Sequence, residues 1–185
     1  MPRPATPPFR PLRRPTTVWH LGMPDPAALR PARDPGAHVA VVRAAVPVGA
    51  LNRFFYAEVG REHHWVDRLG WSAAQWQAYA ERPELETWLV LDRGTPGGYA
   101  ELEGRADGEQ RVNFFGLLPA MQGRGLGGHL LTAVVRRGWE RGADRVGLDT
   151  CELDGPHALE NYLARGFEVR RKAVEPRGRM PEPRE

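Results

Sequence analysis

A glycine-rich segment constrains the fold of this chain more than any other feature. Residues 122–128 read Gln-Gly-Arg-Gly-Leu-Gly-Gly, between a predicted strand over 111–118 and a predicted helix over 125–141. Glycines let the backbone approach a ligand closely, and the free N–H groups of a helix's first turn bind phosphate with the help of the helix dipole. The segment therefore predicts a phosphate-binding loop; a flexible connection that happens to be rich in glycine is the alternative.

Two common phosphate-binding loops do not fit this segment. Gly123, Gly125 and Gly128 formally satisfy the dinucleotide fingerprint G-x-G-x-x-G. However, residues 119–122 separate the loop from its strand, and too little of the chain follows for a doubly wound sheet. No Gly-Lys-Ser/Thr follows the glycines, which excludes a nucleoside-triphosphate P-loop.

Hydrophobic patterning and turn residues divide the rest of the chain into strands and helices. Predicted strands cover residues 16–23, 38–45, 88–91, 98–103, 111–118, 145–150 and 167–174, and predicted helices cover 47–59, 73–81, 125–141 and 156–165. The first strand is short and followed by Pro24, so we expect it at an edge of the sheet. The order β-β-α-α-β-β-β-α-β-α-β predicts an α+β protein with a mixed sheet rather than a regular βαβ array.

Length and composition are those of one soluble domain. The 185 residues are 41% hydrophobic and 26% charged, and we expect a single domain over residues 16–175. The Pro/Arg-rich segments 1–15 and 176–185 are predicted to be disordered tails. No apolar run is long enough to predict a membrane partner, and no signal peptide is visible. With Cys151 as the only cysteine, we expect a cytoplasmic protein.

Charge and histidine placement argue against nucleic-acid and metal partners. The net charge is +3, but Lys172 is the only lysine among 26 basic residues, a skew unlike the mixed clusters of phosphate-backbone binders. A mild positive field also favours capture of an anionic cofactor. His63 and His64 are adjacent and point apart, without a Cys/His cluster or an H-E-x-x-H motif. We therefore expect no nucleic acid and no metal.

Two segments resemble the signatures of the GNAT superfamily of N-acetyltransferases. Residues 122–127, Q-x-x-G-x-G, are similar to the family's Q/R-x-x-G-x-G/A loop, which also follows a strand and opens a helix. Residues 158–167, A-L-x-x-Y-x-x-x-G-F, resemble the second signature, one predicted strand further on. The resemblance extends over about residues 38–174. It implies the GNAT fold, a central and mostly antiparallel sheet that is splayed at the cofactor strand and flanked by about four helices.

The resemblance implies acetyl-CoA as the cofactor. Its pantetheine would bind the backbone of the strand before the loop, at Phe115, Gly116, Leu117 and Leu118. Its pyrophosphate would bind the loop, formed by Gln122, Gly123, Arg124, Gly125, Leu126, Gly127 and Gly128. Arg124 either adds charge there or is solvated. Asn161 and Tyr162 of the second motif are implied as further cofactor contacts, with Asn161 the weaker one.

The resemblance assigns Tyr162 as the general acid that protonates the departing thiolate. A phenol with a pKa of about 10 can do this when it is positioned; the alternative is a tyrosine that only packs a helix on the sheet. The glutamate base of protein-acetylating relatives would stand at Arg111, which cannot act as a base. Glu101 and Glu103, on one face of the neighbouring strand, are the candidate substitutes. Ordered water is another possibility, so the base is left open.

The resemblance implies that the first two predicted helices and their loop form the wall of the acceptor site. Tyr56 and Trp65 are the candidate substrate-binding residues, with burial in the core as the alternative. We expect acetyl transfer to a small-molecule amine, by a monomer or homodimer. A protein lysine or N-terminus is an alternative acceptor. A CoA-binding module without turnover is the alternative of another class, because Arg111 replaces the usual base and Gly155 replaces a frequent asparagine contact.

Overall fold

Seven strands form one sheet in the computed structural model, which describes residues 15–175. The strands are β1 (Thr16–Met23), β2 (Val39–Arg43), β3 (Leu85–Asp92), β4 (Thr95–Gly104), β5 (Glu109–Leu117), β6 (Arg145–Cys151) and β7 (Glu168–Glu175). The α-helices of these residues are α1 (Gly49–Gly60), α2 (Ala73–Ala80), α3 (Leu126–Glu140) and α4 (Ala158–Ala164). The predicted order of strands and helices is confirmed. The predicted tails, residues 1–15 and 176–185, lie outside the described residues except for residue 15.

The strand order in the sheet is β2-β3-β4-β5-β6-β1-β7. Within the described residues every neighbouring pair is antiparallel except β5 and β6, which are parallel. The parallel ladder joins residues 109–112 of β5 to residues 145–148 of β6, and both strands continue beyond it. The predicted mostly antiparallel sheet, splayed at the strand before the glycine loop, is confirmed.

The sheet has a hydrophobic core on each face, and β4 contributes to both. Ala100 and Leu102 are buried on the face that α3 covers, whereas Tyr99 is buried on the face of α1 and α2. The α3 side is aliphatic: Leu126, Leu130, Leu131, Val134 and Val135 are all buried. The α1–α2 side is aromatic: Phe55, Tyr56, Trp76, Tyr79 and Phe114 are buried there. None of the described helices is both long and apolar enough to span a bilayer.

The prediction that residues 16–23 form an edge strand is wrong. β1 lies inside the sheet, where Val18 pairs with Cys151 of β6 on one side and with Ala173 of β7 on the other. Residues 21–23 are consecutively buried, which is possible only for a strand covered on both faces. The edge prediction used only local signals, whereas the position of β1 depends on partners at the far end of the domain.

The segment after β1, residues 24–38, contacts the N-terminal half of α3 and the C-terminal end of α4; we call it the strap. Ala32 N–H donates to Thr132 Oγ1 of α3 at 3.0 Å. Arg30 N–H donates to the Arg165 carbonyl, just after α4, at 3.0 Å. Gly166 has φ of +97°, and a Cβ at this position would lie 1.9 Å from the Ala28 carbonyl oxygen. The strap therefore needs a glycine at the end of α4.

Replacing Gly166 with alanine is expected to lower the free energy of unfolding by roughly 2–4 kcal/mol, because the methyl group meets strap backbone and the positive φ strains any L-residue. Urea unfolding measures this change. The matched control is Gly70→Ala, whose added methyl would meet no atom within 4 Å among residues 15–175. The control is expected to stay within about 0.5 kcal/mol of the wild type. Equal stability of the Gly166 variant would contradict the packing of the strap on α4.

Candidate active site

A cleft opens where β5 and β6 separate. Its volume is about 930 Å³, and its walls include Phe115 and Gly116 of β5 and Thr150 and Cys151 of β6. No ladder pairing joins the two strands beyond Val112 in the part of the chain that the structure describes. The facing backbone N–H and C=O groups are therefore available to a ligand. An extended molecule with amide groups can bind between the strands.

The glycine loop lies at the end of β5 and opens α3. Gly123 and Gly125 have φ of +75° and +76°, and an added Cβ on either would meet no atom within 4 Å in residues 15–175. Gly125 is the N-cap of the 15-residue helix α3, and no side chain caps it. The first amides of a helix have no acceptor within the helix, and the helix dipole adds positive potential there. The loop can therefore take an anionic group through its backbone.

The predicted loop residues divide by exposure. Gln122, Gly123, Arg124 and Gly125 are exposed, Gly127 and Gly128 are half-buried, and Leu126 is buried in the core. Only the backbone of Leu126 can therefore contact a ligand. The Arg124 guanidinium forms an ion pair with Asp92 of β3 at 3.1 Å. This pairing differs from both predicted alternatives, a fully solvated side chain and one that serves only the loop.

Residues 161 and 162 of α4 face the loop and the cleft. Asn161 Oδ1 is 3.7 Å from the position of a Cβ on Gly128, which places Asn161 beside the first turn of α3. Tyr162 lines the cleft, and its ring centroid is 6.0 Å from that of Phe115 across the gap. Burial, followed by the nearby Asp154 carboxylate, raises the pKa of Tyr162 above its ordinary value. The phenol is therefore protonated at neutral pH and can donate a proton or a hydrogen bond.

Glu101 and Glu103, the two candidate bases, have different environments on β4. Glu101 is fully buried and accepts hydrogen bonds from the Tyr79 hydroxyl at 2.5 Å and from Asn52 Nδ2 at 2.8 Å. Burial raises the pKa of the Glu101 carboxyl above its ordinary value, against the effect of these hydrogen bonds. Glu103 lines the cleft and pairs with Arg82 at 2.7 Å. Glu103 thus faces the cleft, whereas Glu101 is connected to it through Tyr79, which lines the wall.

Arg111 stands at the position where the resemblance would put a glutamate. Its side chain has a partner on each of the two separating strands, β5 and β6. It pairs with Glu109 of β5 at 2.8 Å and with Asp149 of β6. Asp149 also accepts from His20 of β1, with 2.7 Å between Oδ1 and Nδ1. The Arg111 side chain is 14% exposed and lines the cleft. The guanidinium therefore joins β5 to β6 where the two strands separate.

The α1–α2 wall of the cleft is aromatic. Tyr56 and Trp65, the candidate acceptor residues, both line the cleft, with ring centroids 5.7 Å apart. Burial raises the pKa of Tyr56 to about 12, and its hydroxyl accepts a hydrogen bond from the Arg68 backbone at 3.2 Å. Tyr56 is only 1% exposed, so it packs in the hydrophobic core and also forms part of the cleft wall. His63 and His64 also line the cleft, and the described residues hold no group of three or more side chains suited to a metal ion.

Several cleft residues were missed by sequence reasoning. Tyr79 and Asn113 contact the two glutamates: Tyr79 donates to Glu101, and Asn113 donates to Glu103. The Arg68 guanidinium lies against the same aromatic wall. Their places on α2, on β5 and in the loop after α1 carry no motif, so only the fold brings them together.

Comparisons with known proteins agree with this geometry. A model of the acetyltransferase (GNAT) family matches residues 49–167, more than half of the chain. The mycothiol acetyltransferase of Beutenbergia cavernae is 31% identical over 180 residues, covering 84% of this chain and 56% of that protein. The chain thus spans about half the length of this relative.

Solved structures share the fold. A GCN5-related N-acetyltransferase from Kribbella flavida superposes with a TM-score of 0.64 at 20% identity, covering 91% of this chain and 60% of that one. The aminoglycoside acetyltransferase AAC(6')-Iy, in complex with the bisubstrate analogue CoA-S-monomethyl-acetylneamine, gives a TM-score of 0.60 at 18% identity, covering 78% of this chain and all of that one. The matched residues 49–167 include the glycine loop, the separating strands and Tyr162. The chain belongs to the GNAT family of acetyltransferases.

Proposed function

We propose that this protein transfers an acetyl group from acetyl-CoA to the primary amine of a small molecule. One observation carries the proposal: the cleft between β5 and β6 has Tyr162 on its wall, and the open glycine loop lies at the end of β5. This combination suits a long ligand with amides at its centre and phosphates at one end. The single domain over 16–175, the monomer or homodimer and the cytoplasmic location stay predictions.

The residues present fit coenzyme A. Space above Gly123 and Gly125 leaves room for phosphate, and the amides of residues 123–128 supply donors to it. The backbone of residues 115–118 would hold the pantetheine, with Phe115 and Gly116 in the cleft wall. Asn161, beside Gly128, would add a side-chain contact. The bound cofactor supplies an activated acetyl thioester with a thiolate leaving group.

The chain's own residues would move two protons. Tyr162 would give its hydroxyl proton to the departing sulfur, and solvent would restore it. The proton lost by the acceptor nitrogen would go to Glu103 directly, or to Glu101 through the Tyr79 hydroxyl, which would accept one proton as it donates its own. The raised pKa of Glu101 brings its basicity closer to that of a neutral-pH base. Arg111 holds the strands and takes no proton.

The aromatic wall of a concave cleft supports a small-molecule acceptor over a protein amine. Tyr56, Trp65 and Phe114 line the cleft together with Tyr162, and clefts of this kind bury most of a small ligand. A mycothiol acetyltransferase and an aminoglycoside acetyltransferase are among the similar proteins, and both names refer to small molecules. A protein lysine or N-terminus is the second candidate acceptor, and a CoA-binding module without turnover is the remaining alternative.

Release of the CoA thiol from acetyl-CoA tests the proposal. Purified protein is offered separate pools of small amines, amino acids, polyamines, aminoglycosides and basic peptides. Release that depends on a small-molecule pool is the expected result, and it identifies the acceptor class. Release with basic peptides alone would favour protein acetylation. Acetyl-CoA binding by calorimetry, with no release above hydrolysis in any pool, would favour the module without turnover.

A further inference from the structure

Arg68 is a buried cation in the wall of the cleft. The residue is only 9% exposed and lies in the loop between α1 and α2. Its guanidinium carbon is 4.1 Å from the ring centroid of Tyr79 and 4.7 Å from those of Trp71 and Phe114. The rings occupy the space around the guanidinium, so a further partner has to approach along an edge. Arg68, Tyr79 and Phe114 all line the cleft.

Arg68 differs from the other cleft arginines in its partners. Arg82 and Arg111 pair with carboxylates at 2.7 and 2.8 Å, and Arg105 lies 3.9 Å from one. Within residues 15–175, no carboxylate lies within 4.0 Å of the Arg68 guanidinium. The group interacts with the Tyr79 hydroxyl and through charge with Glu101, but its buried Nη1 has no hydrogen-bond acceptor. Glu101 balances part of this charge from behind Tyr79, but its hydrogen bonds come from Tyr79 and Asn52. A buried cation without a hydrogen-bonded anion is costly unless a ligand supplies one.

Arg82 provides a second donor beside the Tyr79 ring. Its guanidinium carbon is 4.5 Å from the centroid of the Tyr79 ring that Arg68 also contacts. Its Nη2 is buried and has no acceptor in the described part of the chain, although its Nη1 pairs with Glu103. Two guanidinium groups with unmet donors thus share one ring of the cleft wall. Planar guanidinium edges match planar carboxylates.

We propose that Arg68, assisted by Arg82, binds a carboxylate of the acceptor, so that the substrate is an amine that also carries a carboxylate, as amino acids and peptides do. The proposal rests on the proposed function and names the substrate class of the same site. The carboxylate would approach the Tyr79 ring, and Glu103, paired with Arg82, would lie near the amine. The acidic side chains elsewhere in the cleft suit the ammonium end of the same molecule.

Matched acceptor pairs test the proposal. Each amino acid or dipeptide is compared with its C-terminal amide by thiol release at saturating acetyl-CoA. Losing one charged hydrogen-bonded partner costs about 1.5–3 kcal/mol, so kcat/KM is expected to be about 10- to 100-fold higher for the carboxylates. Arg68→Met is expected to bring this ratio close to one, and Arg68→Lys to restore part of it. Arg105→Met, which changes another cleft-lining arginine, is expected to keep the wild-type ratio.

Calorimetry measures the same preference without turnover. N-acetyl amino acids and N-acetyl amino-acid amides are titrated into protein saturated with CoA, and tighter binding of the carboxylates is expected only with Arg68 present. Two outcomes would overturn the inference. One is equal affinity of the wild-type protein for the carboxylate and the amide, and the other is an Arg68→Met variant that weakens binding of both members of each pair equally. Failure of every carboxylate in both assays would also overturn it. Turnover restricted to amines that lack a carboxylate would overturn this inference and would leave the proposed acetyl transfer intact.

Discussion

The protein with valine in place of Gly125 is expected to bind acetyl-CoA about 100-fold more weakly, because loss of two charge-assisted amide contacts to phosphate costs roughly 3 kcal/mol. Gly125 caps α3 at φ of +76°, where a β-branched residue is strained. Valine would therefore turn the loop amides away from the phosphate or place its methyl groups in the open space above the loop. Isothermal titration with acetyl-CoA measures the affinity.

Gly142→Val is the matched control for this change. Gly142 has φ of +78° and follows the opposite end of α3, and an added Cβ there would likewise meet no atom within 4 Å in the described chain. The two variants thus share backbone strain, and only one of them alters the loop. The control is expected to lose stability and keep its affinity. Unchanged acetyl-CoA affinity in a folded Gly125 variant would refute phosphate binding by the loop.

Tyr162→Phe is expected to lower kcat about 100- to 1000-fold, the typical contribution of a positioned general acid. Phenylalanine keeps the ring contacts with Phe115 and Phe167, whose centroids lie 6.0 and 6.3 Å away. Affinity for acetyl-CoA and thermal stability are therefore expected to change little. Steady-state thiol release, with the best acceptor from the pools, separates kcat from KM.

The pH profile adds a second readout for Tyr162. A raised pKa means that the phenol stays protonated above its ordinary value of about 10. A rate that needs the protonated phenol falls only when the pH exceeds this raised pKa, so Tyr162 is expected to cause no decline between about pH 7 and 9. Tyr99→Phe is the control and is expected to keep the wild-type rate and pH profile. Tyr99 is fully buried and does not line the cleft, and its hydroxyl has no hydrogen-bond partner among the described residues. Wild-type turnover by the Tyr162 variant would remove it from the role of general acid.

Local sequence signals predicted the elements of the fold well. Ser72 and Gln75 have the spacing of a capping box, and both of its reciprocal hydrogen bonds are present at the start of α2. The glycines after Gln122 open α3, and Leu126, Leu130 and Val134, which follow one another at helical spacing, are buried. These features depend on neighbours within a few residues, so the sequence carries them directly. The bounds of β3 were less well predicted, because the strand runs from Leu85 to Asp92 rather than over residues 88–91.

Contacts between residues that are far apart in the sequence could not be predicted from local sequence patterns. The interior place of β1 depends on pairing with β6 and β7, and the burial of Glu101 depends on Asn52 and Tyr79 from two helices. A charged residue is usually read as exposed, because burying it is costly without partners that local sequence does not reveal. Phe54 is the reverse case: a phenylalanine is usually expected to be buried, yet Phe54 of α1 is 49% exposed.

The position of β1 also sets the order in which this domain can be assembled. During synthesis β1 emerges first, yet both of its neighbours, β6 and β7, emerge last. Strands β2 to β5 are each other's neighbours and can pair early, whereas the half that contains β6, β1 and β7 has to wait for the end of the domain, because long loops must close before it forms. One wall of the cleft belongs to each half. Trimming the domain from either end would therefore remove a neighbour of the same wall, and the sheet that frames the cleft would be complete only after β7 has paired with β1.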